Sequence, residues 1–426
     1  MRFRRAAITI GILGAVLTPF AWDAASAQRD APTAAELRTA AMATPSDAEA
    51  RRQLRAQGPA GLRALLDAHR EDVERLRAGD GEGLDGLRAA IDAVSGQRDG
   101  HASGLYWHID LEAAKREAAR RGLPILSLRL LGRLDEELSC ANSRYFRIVL
   151  YADPEVAREM QRHFVLHWSS ERPAPVITID MGDGRELRRT ITGNSVHYVL
   201  DAQGRPLDAI VGLYSPGGFR AALVAARAVH GQCRSGADRE ACLAQAHEAA
   251  RAASRATWAR APLWLTFDDA ARASRPAAPP TGDAPSAAIA MPLTIRKAYV
   301  ETPALALMGA EAEAAPEPDW AAIARELLGH GRLSVRSRAL LRLKTGRDDV
   351  TAIAERLERD ALADGVRNEV RFRDEIRRWF VERDPATRDL AVLNRRVYAQ
   401  LLLTPASDPW LGLRADDVYD GLELDE

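Results

Sequence analysis

The sequence predicts an α/β domain flanked by all-α segments, in a secreted multidomain protein. Three observations predict it. Short apolar and β-branched runs alternate with helical stretches between residues 105 and 232, Ala/Leu/Arg-rich stretches at helical spacing lie on either side, and a basic then apolar leader opens the chain. At 426 residues the chain exceeds the usual single domain, and a hydrophobic fraction of 46% supplies a core. Lys+Arg 59 against Asp+Glu 60 leaves a net charge of −1, so no overall field favours nucleic acid or an anionic membrane, and neither is expected as a partner.

The leader spans residues 1–27. MRFRR is its positive region, AAITIGILGAVLTPFAW its apolar region, and Ala25-Ser26-Ala27 a small-residue cleavage site before Gln28. This reads as a signal peptide, with a periplasmic or secreted mature protein; an uncleaved anchor is the alternative, because the apolar run is near spanning length. No later stretch is apolar enough to span. Disulfides are permitted in that compartment. Cys233 and Cys242 flank RSGADREA and are expected to join as a local staple worth roughly 2–3 kcal/mol, the alternative being two buried thiols. Cys140 is then the odd thiol.

Residues 28–104 form an N-terminal helical segment, with apolar positions at helical spacing in GLRALLDAHREDVERL and GLDGLRAAIDAV and a glycine-rich turn from Gly79 to Asp85. At the start of the α/β domain, 105–232, Asp110 caps an Ala-rich helix that Gly122 and Pro124 stop. Strand Ile125 to Leu130 follows, then a helix beginning near Cys140, a helix opened by Asp153 and Pro154, and strand Phe164 to Trp168. Helices between the strands predict a parallel pair with a right-handed crossover. VITIDMGDGRELRRTIT turns at Gly182-Asp183-Gly184 and SVHYVLDAQGRPLDAIVGLY at Ala202-Gln203-Gly204, two hairpins, after which Ser215 and Pro216 open a closing helix.

A helical extension, 233–272, leads to a Pro/Ala-rich linker, 273–292, without periodicity. The C-terminal helical domain, 293–426, carries DWAAIARELL, SVRSRALLRL, DDVTAIAERL and RDLAVLNRRVYAQLLL, expected as an antiparallel bundle or helical stack, and ends in an acidic tail. Trp410 and Tyr419 in that tail either tuck into a groove on the body or present an exposed segment.

The chemistry centres on LPILSLRLLGRLDEELSCANS. It places the Cys140 thiol at a helix start, where unpaired backbone N–H groups and the helix dipole favour an anion, with Ser143 one turn on to donate to the sulfur. Cys140 and Ser143 form a candidate catalytic monothiol pair; a small cysteine packed behind a strand fits the residue type equally well. Asp135, Glu136 and Glu137 oppose a thiolate by their charge. Trp107 either borders the Cys140 pocket or packs in the core. His163, His167 and His197 invite a zinc reading, but His163 ends a helix and His167 lies in a strand, so no metal site is expected. No Ser/His/Asp order, phosphate loop or nucleotide fingerprint stands out, and no cofactor is implied.

Cys-x-x-Ser at a helix start after a strand, an Asp-Pro-Glu-Val helix ending in Phe-Val, a hairpin with Asp-x-x-Gly-Arg, and Gly212 before a Ser-Pro helix resemble the thioredoxin-like superfamily. The resemblance covers residues 105–230 and is closest to divergent thioredoxin-like domains that bacteria attach to larger helical proteins. It implies thiol-disulfide exchange with protein or small-molecule thiols and disulfides: Cys140 as nucleophile, Ser143 steadying its thiolate, an external thiol resolving the mixed disulfide. Two departures stand out. Ser143 replaces the family's second cysteine, and Gly193-Asn194-Ser195 replaces its cis-proline, which makes Asn194 and Ser195 the substrate-facing loop. Two functions follow: a monothiol exchange protein, or a non-catalytic binding or scaffold module. An exposed, acidic Cys140 favours the first and a buried one the second.

Overall fold

A computed structural model describes residues 33–43, 46–234, 238–274, 318–328, 331–409 and 411. The leader and its cleavage site, most of the linker, Trp410 and Tyr419 lie outside the described residues. The chain is a mixed α/β structure in which helices predominate.

Ile125–Leu131 forms β1, and only Ser127 and Arg129 interrupt its apolar run. A strand apolar on both faces belongs at the centre of a sheet. It does: β2 (Val165–Arg172) and β5 (Ser195–Leu200) flank it, and β6 (Pro206–Val211) closes the order β2-β1-β5-β6. β1 and β2 run parallel with Ile125 opposite Val165, whereas β1 pairs antiparallel with β5, Ile125 opposite Leu200, and β5 with β6. Pro206 opens β6 on the sheet edge, where a missing N–H costs no ladder bond. The other hairpin, β3 (Val176–Asp180) with β4 (Glu186–Thr190), forms a separate two-stranded sheet. The two strands expected as a parallel pair, Ile125 to Leu130 and Phe164 to Trp168, do pair in parallel, with ends moved by a few residues.

The crossover from β1 to β2 is helical. Ala141–Tyr145 continues through a π turn, Phe146–Leu150, and Pro154–His163 follows, capped by Asp153 accepting from the Glu155 and Val156 N–H groups at 3.0 and 3.1 Å. Asp110 caps Leu111–Arg121, and Ser215 caps Pro216–Cys233, as the residue types predict. Cys233 is bonded to Cys242, with Cα atoms 5.6 Å apart, tying that helix to Arg239–Arg260.

The N-terminal helices have their own core, built on Leu54, Leu62, Leu65, Val73, Ile91 and Val94. GLRALLDAHREDVERL is there two helices, Pro59–Ala68 and Arg70–Ala78, broken at His69, whose Nε2 lies 3.1 Å from the Ala41 carbonyl oxygen. The side-chain contact to a neighbouring helix fixes a bend that the periodicity does not reveal.

The C-terminal helices are Trp320–Leu328, Val335–Thr345, Thr351–Asn368, Asp374–Val381 and Leu390–Arg396. Phe372, Ile376, Trp379, Phe380, Leu393 and Val397 belong to the same buried cluster as Leu126, Val199 and Ile210 of the sheet. A π turn, Glu369–Arg373, joins Thr351–Asn368 to Asp374–Val381. From it Arg373, 2% exposed, donates to Asp208 Oδ2 on β6 at 2.7 Å, to Glu369 Oε1 at 2.7 Å and to the Ala222 carbonyl at 3.3 Å. Burial pushes the Asp208 carboxyl up, but the charge of Arg373, joined by those of His247 and Arg377 and by the Arg373 hydrogen bond, holds it below the ordinary range. Among the described residues no helix is long and apolar enough to cross a membrane.

Breaking a buried pair leaves an uncompensated charge, at a cost of about 3–5 kcal/mol. Arg373→Ala should lose stability of that order in urea denaturation, and Asp208→Asn in the Arg373→Ala background should recover part of it.

Candidate functional site

Cys140 lies beyond the carboxyl end of β1 and is the N-cap of the Ala141 helix, its sulfur accepting the Ser143 N–H at 3.5 Å. The link from Ser143 to the sulfur thus runs through the backbone. The Ser143 hydroxyl accepts from Ser139 Oγ at 2.8 Å, and Ser139 Oγ accepts from Arg147 Nη2 at 3.4 Å. Arg147, 1% exposed, in turn faces Asp99 at 3.4 Å. Cys140 and Ser143 are both fully buried.

The expected substrate-facing loop does face this helix start. The Ser195 hydroxyl accepts from Asn142 Nδ2 at 2.6 Å. A Cβ at Gly193 would sit 3.1 Å from the Ala141 nitrogen and 3.3 Å from Cys140 Cβ, so any larger residue would make the loop or the helix start give by a few tenths of an ångström. Thr192, just before it, is buried at φ +57°, a backbone state that a β-branched residue adopts only under surrounding constraint.

The loop's other side is taken by the C-terminal segment. Asn194 Nδ2 donates to Thr404 Oγ1 at 2.6 Å, and the Tyr398 hydroxyl donates to the Asn194 carbonyl at 3.3 Å. Between the loop and the Thr351–Asn368 helix remains a cavity of about 40 Å³, lined by Asn142, Asn194, Ser195, Asn368, Arg371 and Leu402. That is room for little more than a water molecule. The Asn142 Oδ1 beside it has no hydrogen-bond partner among the described residues. Cys140 and Trp107 do not line it. Trp107 is a core residue: fully buried, its indole N–H donates to Gln97 Oε1 at 2.6 Å and its ring packs 5.3 Å from that of Tyr151.

The acidic run before Cys140 is neutralised by cations rather than aimed at the sulfur. Asp135 and Glu136 pair with Arg133 at 2.7 and 3.3 Å, and Glu137 with Lys344 at 2.7 Å and Arg98 at 2.9 Å. Burial would raise the Glu137 carboxyl, yet the hydrogen bond and charge of Lys344 bring it down to about 2. The histidines are not brought together: His167 Nδ1 meets Ser127 Oγ at 2.8 Å, His197 Nε2 the Tyr151 hydroxyl at 2.7 Å, and His163 Nδ1 Arg227 at 3.1 Å. Burial lowers both His167 and His197 to about 3, so each stays neutral. Among the described residues no group of His, Cys, Asp and Glu could hold a metal.

A sulfur accepting a backbone N–H at a helix start suits a thiolate, but disulfide exchange needs a second sulfur to approach it. Gly193 on one side and the segment around Tyr398 and Thr404 beyond it occupy that approach. Tyr398, Thr404, Asn368 and Arg371 escaped sequence reasoning because they lie far along the chain from Cys140 and carry no local pattern. Comparison with known proteins finds no matching family model, curated protein or solved structure.

Behind Asp99, Asp92 is buried, pairs with Arg98 at 3.3 Å and accepts from the Gly100 N–H at 2.8 Å. Burial first, then the charge of Asp99, raise its carboxyl to about 7. Because the folded value lies above the unfolded one, this group's contribution to stability is full below about pH 4 and is lost as pH rises toward 7. Asp92→Asn removes the ionisation. Relative to the native chain, the variant should gain on the order of 2–4 kcal/mol between pH 4 and pH 8 in urea denaturation at each pH.

Proposed function

We propose that residues 105–232 form a divergent thioredoxin-like domain that works as a non-catalytic scaffold, with the end that would meet a substrate docked instead on the chain's own C-terminal helices. The strand order β2-β1-β5-β6, one parallel pair followed by an antiparallel hairpin and a closing helix, supports the fold assignment. The observation that carries the function is the complete burial of Cys140 beneath a loop whose outer face is bonded to Thr404 and Tyr398. In this reading Gly193-Asn194-Ser195 holds a segment of the same chain where a relative with a cis-proline would hold a substrate backbone. The Cys233–Cys242 bond fits an oxidising compartment, in keeping with a periplasmic or secreted protein.

Monothiol exchange through Cys140 is the competing reading, and the Ser143 N–H directed at the sulfur is what favours it. Alkylation of Cys140 by iodoacetamide, followed from pH 6 to 10, separates the two. The scaffold reading predicts native labelling at least about a hundredfold slower than that of the urea-unfolded chain, because it waits on opening. It also predicts that Cys140→Ala folds and traps no less partner than the native protein. Rapid labelling with a midpoint below the ~8.5 of an ordinary thiol, together with mixed disulfides that vanish in Cys140→Ala, would overturn it.

A further inference from the structure

At the opposite end of the β1–β2 pair from Cys140, a cleft of about 900 Å³ opens between the N-terminal helices and the α/β unit. Pockets of this size between two units are where ligands commonly bind. One wall is Pro59–Ala68 and Arg70–Ala78, the other Leu111–Arg121, and Tyr106, Val165 and Leu166 lie between them. The first wall presents Arg63, Arg70 and Arg77, spaced by seven; the second presents Arg116, Arg120 and Arg121.

Three carboxylates share the cleft and are already paired. Asp67 is 2.7 Å from Arg70, Glu74 is 2.6 Å from Arg77, and Glu117 is 2.7 Å from Arg120. Three guanidinium groups are thereby left without a close carboxylate. Arg63 is exposed with no hydrogen-bond or ion-pair partner among the described residues, Arg116 is 3.9 Å from Asp110, and Arg121 donates to the Gln161 carbonyl at 3.5 Å and is 4.0 Å from a Glu117 that Arg120 already engages.

We propose that this cleft binds an extended acidic polypeptide in which carboxylates alternate with apolar side chains. Arg116 and Arg120 are one turn apart, about 6 Å along the helix axis, and the largely exposed Arg120 takes an incoming carboxylate by leaving its surface pair with Glu117, which is worth little in water. Carboxylates on one face of an extended chain recur at about 6.6 Å, a close match for guanidinium forks that take carboxylates two-handed. The alternate side chains of such a segment face Pro59, Leu66 and Tyr106, the apolar lining residues that retain exposed surface. Asp67, Glu74 and Glu117, interleaved with the arginines, disfavour a uniformly and densely charged polyanion. This surface does not depend on the reading of Cys140.

The test uses the full chain and a fluorescein-labelled (Glu-Leu)6 peptide, read by anisotropy, with (Lys-Leu)6 and inorganic polyphosphate beside it. The acidic peptide should bind, weaken as salt rises, and lose at least about tenfold in affinity in the double variant Arg63→Glu, Arg116→Glu. Both positions are exposed, and a matching thermal unfolding curve shows that the variant folds. Arg185→Glu, on the exposed β3–β4 hairpin, should leave binding unchanged. The proposal is overturned if the acidic peptide does not bind, if the basic peptide binds as well, if the double variant binds unchanged, or if polyphosphate binds in preference to the peptide.

Discussion

The buried ion pair between Arg373 and Asp208 is the joint on which the arrangement turns. A guanidinium 2% exposed cannot be left without acceptors, and here it has three: Asp208 on the edge strand β6, Glu369 one turn back, and the Ala222 carbonyl of the Pro216–Cys233 helix. The π turn at Glu369–Arg373 carries it. Such a turn inserts an extra residue into a helix and re-aims the side chains around it, usually for a local reason. Here the reason is registration: one side chain fixes the long C-terminal helix against a strand edge and a second helix at once. A hydrophobic contact surface alone would tolerate sliding, whereas a pair of opposite charges in low dielectric tolerates one register.

That register determines what covers the Cys140 end. With the helix seated on β6, Asn368 donates to the Leu213 carbonyl at 2.8 Å and its amide stands where a Cβ at Gly212 would be, 2.7 Å away. Gly212 has φ +81°, so it is required to be glycine by both its backbone and its neighbour. Farther along, Tyr398 and Thr404 reach the Asn194 loop, and Leu403 between them adopts φ +52° while fully buried. Thr192 and Leu403, two non-glycine residues at positive φ, thus lie on the two sides of one contact. Strain of this kind persists only where packing over-determines the backbone. Ionic and packing constraints together turn a helix start with a thiol into part of a core.

Much of the α/β unit was legible in the sequence because its signals are local. The apolar run of β1, the caps Asp110, Asp153 and Ser215, the glycine turns of both hairpins and the spacing of Cys233 and Cys242 all act within a few residues of where they are read. The candidate site was legible only in part. Cys140, Ser143, Asn194 and Ser195 do gather in one place, but the closure over them depends on Tyr398, Thr404 and Asn368, whose partners lie far away in sequence. Local charge also misled: Glu137 beside the thiol reads as a deterrent to a thiolate, yet Lys344 and Arg98 claim it. Trp107, adjacent to two other aromatic residues, gives no sign in sequence that Gln97 will take its indole N–H into the core.

If the C-terminal helices and the sheet are one cooperative unit, they must open together. Native-state amide exchange, measured at increasing urea, tests this directly by comparing Ile210 and Val211 of β6 with Ile376 and Trp379 of the Asp374–Val381 helix. The account predicts that both sets converge on the same opening free energy and the same urea dependence, and that Arg373→Ala lowers both equally. Exchange in the helix through a much smaller opening, with β6 still protected, would contradict it and leave the Cys140 end intermittently open to a partner.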